Sequence, residues 1–160
     1  MGDHQASVPV AVFETEASMD QWEVLNEFVE QHANQHLGVG KQSYSLRLAC
    51  EELFSNIIRH SRDDGRDTPV TLSLQFFLLH EEDDGSALMI QIQDNGPFFD
   101  PHLESDRVIP SHLSAADRPI GGLGLFLVQQ SVDRLDYAWI DQKNCYRLFV
   151  NLNQGTEDAR

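Results

Sequence analysis

Apolar residues recur at helical spacing between Leu46 and Ile58. At about 100° per residue, Leu46, Ala49, Cys50, Leu53 and Ile57 share one face, which Phe54 and Ile58 widen. Glu52, Asn56 and His60 follow one another at four-residue intervals along the border of that face. Arg47, Glu51, Ser55 and Arg59 fall on the solvent side. The pattern predicts a helix over 43–61. An earlier helix is expected from Ser18 to Leu37, with Trp22, Leu25, Phe28, Val29 and Ala33 towards the core. Ser18 and Gln21 form a capping box at its start, and Gly38 and Gly40 end it. The period changes to two over 70–79 (VTLSLQFFLL) and 87–93 (ALMIQIQ), and the EEDDGS turn signal between them predicts a hairpin. Shorter strands are expected at 8–13, where Pro9 favours an edge, and at 137–141 and 145–152. GGLGLFLVQQSVDRL, 121–135, reads as a helix entered through glycines.

RDDGRDTP is a polar loop closed by Pro69, and 102–120 holds Pro110, Pro119 and scattered charges with no sustained period. A stretch that long inside a domain is a functional lid or disorder. The element order is βααββ, lid, αββ. It predicts an α+β fold: a two-layer α/β sandwich, with a mostly antiparallel sheet and three helices on one face. A single domain over 1–152 is expected, with a lid at about 97–120 and a polar tail at 153–160. No internal repeat or low-complexity tract is visible.

The chain has 160 residues, 41% of them apolar, which suits one folded domain with a real core. Its net charge of −15 argues against direct binding to nucleic acid or to an anionic membrane. An acidic body fits either a basic protein partner or a generally solubilising surface. No Lys or Arg precedes Lys41. The spacing of Cys50 and Cys145 fits no metal motif, so both are expected reduced in the core. No secretory signal is visible, and the Met1-Gly2 start lacks the Ser or Thr of a myristoylation signal, with Ala6 in that place. No run reaches the roughly 18 apolar residues of a membrane span. A cytoplasmic location is expected.

Two further stretches bear on chemistry. Asp94-Asn95-Gly96 ends a strand and is either a turn or a carboxylate placed to accept from an exocyclic amine such as adenine N6. Gly121-Gly122-Leu123-Gly124 opens a helix and is either a tight turn or an anion site made of backbone amides. It is not a Walker A loop, since no Gly-Lys-Ser/Thr follows, and no βαβ unit supports a dinucleotide turn. Glu52, Asn56 and His60 are likewise either the polar margin of a helix or groups that meet a ligand lying across it.

In this order EELFSNIIRHS, DNGPFFDP and PIGGLGLFLVQQSVDRLDY resemble the N, G1 and G2 boxes of the Bergerat-type ATP-binding fold of gyrase, Hsp90, histidine kinases and MutL. More narrowly, the set resembles the RsbW/SpoIIAB-like anti-sigma factors, small serine protein kinases, including the Asp133 and Tyr137 that commonly follow the third box. The likeness runs from about 43 to 150. A histidine kinase would need a phosphoacceptor hairpin upstream, for which there is no room.

By that resemblance Glu52 is the general base and Asn56 the Mg2+ ligand. Asp94 binds adenine with Gly96 beside it, and Gly122 and Gly124 hold phosphates, with Gly121 and Leu123 in the same loop. Magnesium accepts one amide oxygen plus phosphate oxygens and waters, and a carboxylate's main work in phosphoryl transfer is orientation. Glu51, the rival base, lies about 100° round the helix from Glu52. His60 either braces the site or contacts the nucleotide. Arg118 either reaches the γ-phosphate or is a solvated lid charge, and Asp100 shapes the lid's root. The resemblance implies ATP and Mg2+ as cofactors and a homodimer. It also implies a sigma factor and a STAS-domain anti-sigma antagonist as partners, with no direct nucleic acid and no membrane. A nucleotide-gated binding module without phosphoryl transfer is the alternative, and an ATPase fragment of the superfamily is disfavoured by the compact length. One departure concerns partners: the family commonly carries a basic residue on its first helix, where this chain has only His32 and His36.

Overall fold

Alternation along the strands sends Leu72, Leu74, Phe76, Leu88, Ile90, Ile92, Leu148 and Val150 to one side of a sheet, where all are buried. The computed structural model describes residues 8–81, 85–99 and 122–152. These form β1 (Ala11–Glu16), a 3-10 turn (Met19–Gln21), α1 (Trp22–Leu37), α2 (Lys41–His60), β2 (Thr71–Glu81), β3 (Gly85–Asp94), α3 (Gly122–Ser131), β4 (Arg134–Ile140) and β5 (Lys143–Asn151). The sheet runs β1-β2-β3-β5-β4, and every neighbouring pair is antiparallel. β1 lies at one edge, as Pro9 suggested.

All three helices contribute to the single core cluster on that side: Leu25, Val29 and Ala33 from α1, Leu46, Cys50, Leu53, Phe54 and Ile57 from α2, and Leu125 and Val128 from α3. Each fully buried Leu, Phe or Ile contributes roughly 1.5–3 kcal/mol over its exposed state. The result is the expected α+β sandwich. Among the described residues no helix is long and apolar enough to cross a membrane.

Several local expectations need correction. The first turn after Ser18 is 3-10: Gln21 N–H donates to Ser18 O at 3.0 Å, and Ser18 Oγ accepts from Asp20 N–H at 3.2 Å. The α-helix therefore starts at Trp22. Arg47, Glu51 and Ser55 are half-buried, and only Arg59 of the four supposed solvent positions is exposed. Arg47 reaches Glu30 of α1 at 3.0 Å, which draws it inward. α3 stops at Ser131 rather than Leu135, because Asp133 N–H already donates to Phe149 O at 2.9 Å and Leu135 pairs with Leu148 in the sheet. The expected lid beyond Phe99 and the tail at 153–160 lie outside the described residues.

Candidate functional site

The border of α2 and the end of β3 meet at a small cavity. Asn56, Ile57, His60 and Ser61 line it from α2 and the residue after it, and Asp94, Pro97 and Phe99 from β3 and its exit. Asn144 and Tyr146 line it from β5. Its volume is about 10 Å³, room for a single water. The helical period places Asn56 and His60 on one stripe, and the strand register sets Asp94 opposite Asn144. Residues far apart in sequence thus share one small space.

Asp94 is 5% exposed, and burial pushes its carboxyl pKa up. The Asn144 amide, the Gly96 N–H and the Arg66 charge oppose that rise. Both hydrogen bonds fall on Asp94 Oδ1, from Gly96 N and Asn144 Nδ2, each at 3.0 Å. A Cβ on Gly96 would sit 2.9 Å from that oxygen, so a glycine is required for the carboxylate to keep its position. Asn95 works outward: its Oδ1 accepts from Thr71 N–H at 2.7 Å, and its carbonyl accepts from Arg66 Nη1 at 2.7 Å. Asn95 therefore ties the exit of β3 to β2 instead of forming a hairpin turn.

Asn144 is 2% exposed and uses both ends of its carboxamide. Its Nδ2 donates to Asp94 Oδ1 and, at 2.9 Å, to Pro97 O. Its Oδ1 accepts from Phe99 N–H at 3.1 Å and from Tyr137 OH at 2.6 Å. It joins β3, β4 and the segment after β3. Sequence reasoning missed this residue, because it falls between the strands expected at 137–141 and 145–152. Tyr137, noted there as part of the third box, is tied to the site through Asn144.

Asn56 is 5% exposed and its Nδ2 is buried with no partner among the described residues; His60 Nε2 is in the same condition. His60 Nδ1 contacts Asp63 Oδ2 at 2.5 Å, and its ring stacks on Phe99 at 5.3 Å. Glu52 is half-buried on α2, one turn before Asn56, and does not line the cavity. Gly122, Leu123 and Gly124 form the first turn of α3, where helix amides have no partner within the helix. Asp100, Arg118 and Gly121 lie outside the described residues. The structure thus gathers Asn56, His60 and Asp94, with Gly96 against the carboxylate, and leaves Glu52 further along α2.

A family profile described as the histidine kinase-like ATPase domain matches residues 15–149. Among curated proteins, the chain is 29% identical over 118 residues to the serine-protein kinase RsbW of Listeria monocytogenes serovar 1/2a, covering 72% of this chain and 71% of that one. It is 25% identical over 118 residues to the serine-protein kinase RsbW of Listeria innocua serovar 6a, with the same coverage, 72% and 71%. Among solved structures, the histidine kinase domain of a blue-light activated histidine kinase from Erythrobacter litoralis aligns with a TM-score of 0.45 at 14% identity, covering 98% of this chain and 68% of that chain. The profile spans most of the sequence and includes all three boxes: the chain belongs to the histidine kinase-like ATPase domain family and is similar to the RsbW serine-protein kinases.

Proposed function

We propose that this protein is an ATP-dependent serine protein kinase and anti-sigma factor, which sequesters a sigma factor and phosphorylates a serine of a STAS-domain antagonist. The observation that carries the reading is the meeting of Asn56 and Asp94 at one buried cavity, with Glu52 a helical turn beyond. Asp94 accepts from adenine N6 with the oxygen that Gly96 and Asn144 leave free. The amides of Gly122, Leu123 and Gly124 receive phosphate oxygens at the start of α3. Arg118 and Gly121 enter this reading on sequence pattern alone. Since the cavity has room for one water only, the Phe99 ring moves off His60 when a base enters.

The residues present fit a magnesium ion. Asn56 offers one hard amide oxygen on a side chain that lines the cavity, and among the described residues its Nδ2 has no partner. Among the described residues no group of three or more His, Cys, Asp or Glu converges, so most ligands would be phosphate oxygens and waters. Bound there, Mg2+ would neutralise phosphate charge. Glu52 orients the incoming serine hydroxyl and takes its proton, and sits on α2 towards the triphosphate end. A net charge of −15 suits a body that covers the basic DNA-binding surface of a sigma factor. The RsbW relatives carry the words serine-protein kinase in their names, which supports the assignment of reaction class.

The test is incubation with γ-labelled ATP, Mg2+ and the candidate STAS protein. Label on a serine, absent with Glu52→Ala, is the expected result. ATP binding without label in the wild type would make the chain a nucleotide-gated binding module instead.

A further inference from the structure

His60 is the last residue of α2, and Asp63 lies in the turn that follows. The 2.5 Å contact between His60 Nδ1 and Asp63 Oδ2 fixes more than distance. An ionised carboxylate has no hydrogen to give, so the ring proton belongs on Nδ1. In the neutral ring Nε2 is then a bare acceptor, and among the described residues that buried atom has no partner. One helical turn earlier, Asn56 Nδ2 is also buried with no partner among the described residues, and it can only donate. Both residues line the same cavity of about 10 Å³. Phe99 stacks on the imidazole at 5.3 Å and 24°, which holds the ring in place before a base enters. An orphaned donor and an orphaned acceptor therefore lie a turn apart on one stripe of α2.

We propose that Asp63 and His60 are positioning residues for the Asn56 carboxamide. Asp63 selects the imidazole tautomer, and His60 Nε2 accepts from Asn56 Nδ2 through one water in the cavity that both residues line. Asn56 Oδ1 is thereby the atom presented to a cation. The proposal rests on the reading of Asn56 as a magnesium ligand. The choice of atom matters because Oδ1 is a hard oxygen ligand, whereas the Nδ2 hydrogens repel a cation. Asp63→Asn reverses the relay. Its carboxamide can donate to Nδ1, which moves the ring proton to Nε2. The Nε2–H then donates to that water, whose own hydrogen turns to Asn56 Oδ1 and engages the atom the cation needs.

The experiment uses the full chain in two steps. First, 15N NMR of the protein without metal or nucleotide, at mildly alkaline pH, reads the His60 tautomer. Second, ATP binding is titrated against Mg2+. In the wild type Nδ1 is expected to carry the proton and Nε2 to be bare. Asp63→Asn is expected to invert this and to raise the Mg2+ midpoint about tenfold. Its melting temperature and its affinity for ATP in EDTA should hold, and Asp63→Glu should restore both readouts. A wild-type proton on Nε2 overturns the proposal, as does an Asp63→Asn chain whose Mg2+ midpoint stays put. Those failures leave nucleotide binding intact. A wild-type chain that binds no ATP at any Mg2+ concentration contradicts the nucleotide reading itself, and the metal-facing half of this proposal falls with it.

Discussion

Asp94 and Asn144 stand opposite one another in the β3–β5 register, and the Asn144 amide donates to Asp94 Oδ1 at 3.0 Å inside the protein. One carboxamide therefore holds the carboxylate, the Pro97 carbonyl, the Phe99 amide and the Tyr137 hydroxyl together.

Removing that carboxamide should weaken the fold as well as the site. Asn144→Ala takes one hydrogen bond each from Asp94 Oδ1, the Pro97 carbonyl, the Phe99 amide and the Tyr137 hydroxyl, which costs about 1–3 kcal/mol for each group left fully unsatisfied. Urea unfolding should show the midpoint falling with an unchanged slope. An unchanged midpoint would mean that water replaces the side chain at no loss.

What could be read in advance follows the range of the interaction. The buried side of α2 was legible because its period is local: Leu46, Ala49, Cys50, Leu53, Phe54 and Ile57 all lie inside, as their spacing predicts. The β2–β3 hairpin was legible for the same reason. Asn144 was not, because its importance arises from a β3–β5 pairing between segments about 50 residues apart, and nothing near it in the chain records that pairing. The end of α3 was misread because Leu135 suits a helix face as well as a strand; pairing with Leu148 decides it. For the glycine loop and Arg118 the sequence pattern remains the guide, whereas Gly96 acquired a physical reason only from the 2.9 Å approach to Asp94.

Asp94 should serve binding at the expense of stability. Its folded pKa lies above the ordinary 3.8, chiefly through burial. Between those values the folded chain binds the proton more readily than the unfolded chain. Its contribution to stability therefore rises as pH falls through that window and is least favourable above it. Asp94→Asn keeps an acceptor for Gly96 and Asn144 and removes the charge. Denaturant unfolding across acidic to neutral pH should find the variant at least as stable as wild type at neutral pH, with a smaller pH slope. A large loss of stability at neutral pH would contradict this account of the carboxylate.

His32 has the opposite sign. It packs between Phe28 and Phe76 at 4.5 and 5.4 Å, its Nδ1 is buried with no partner among the described residues, and desolvation, then His36, lowers its pKa from 6.5. The unfolded chain binds that proton more readily. The stability tied to a neutral His32 is thus whole above about 6.5 and lost as pH falls through the lowered folded value. His32→Phe removes this component, so the drop in urea midpoint from neutral to mildly acidic pH should shrink. An identical drop would place the acid sensitivity elsewhere.

The central claim is that Asp94 and Asn56 line a nucleotide site, and calorimetric titration of the full chain with ATP in Mg2+ tests it most directly. The account predicts saturable binding at one site per chain, with affinity lowered at least about tenfold, or ~1.4 kcal/mol, in a folded Asp94→Asn variant. No heat from the wild type, or equal affinity in the two proteins, would contradict it.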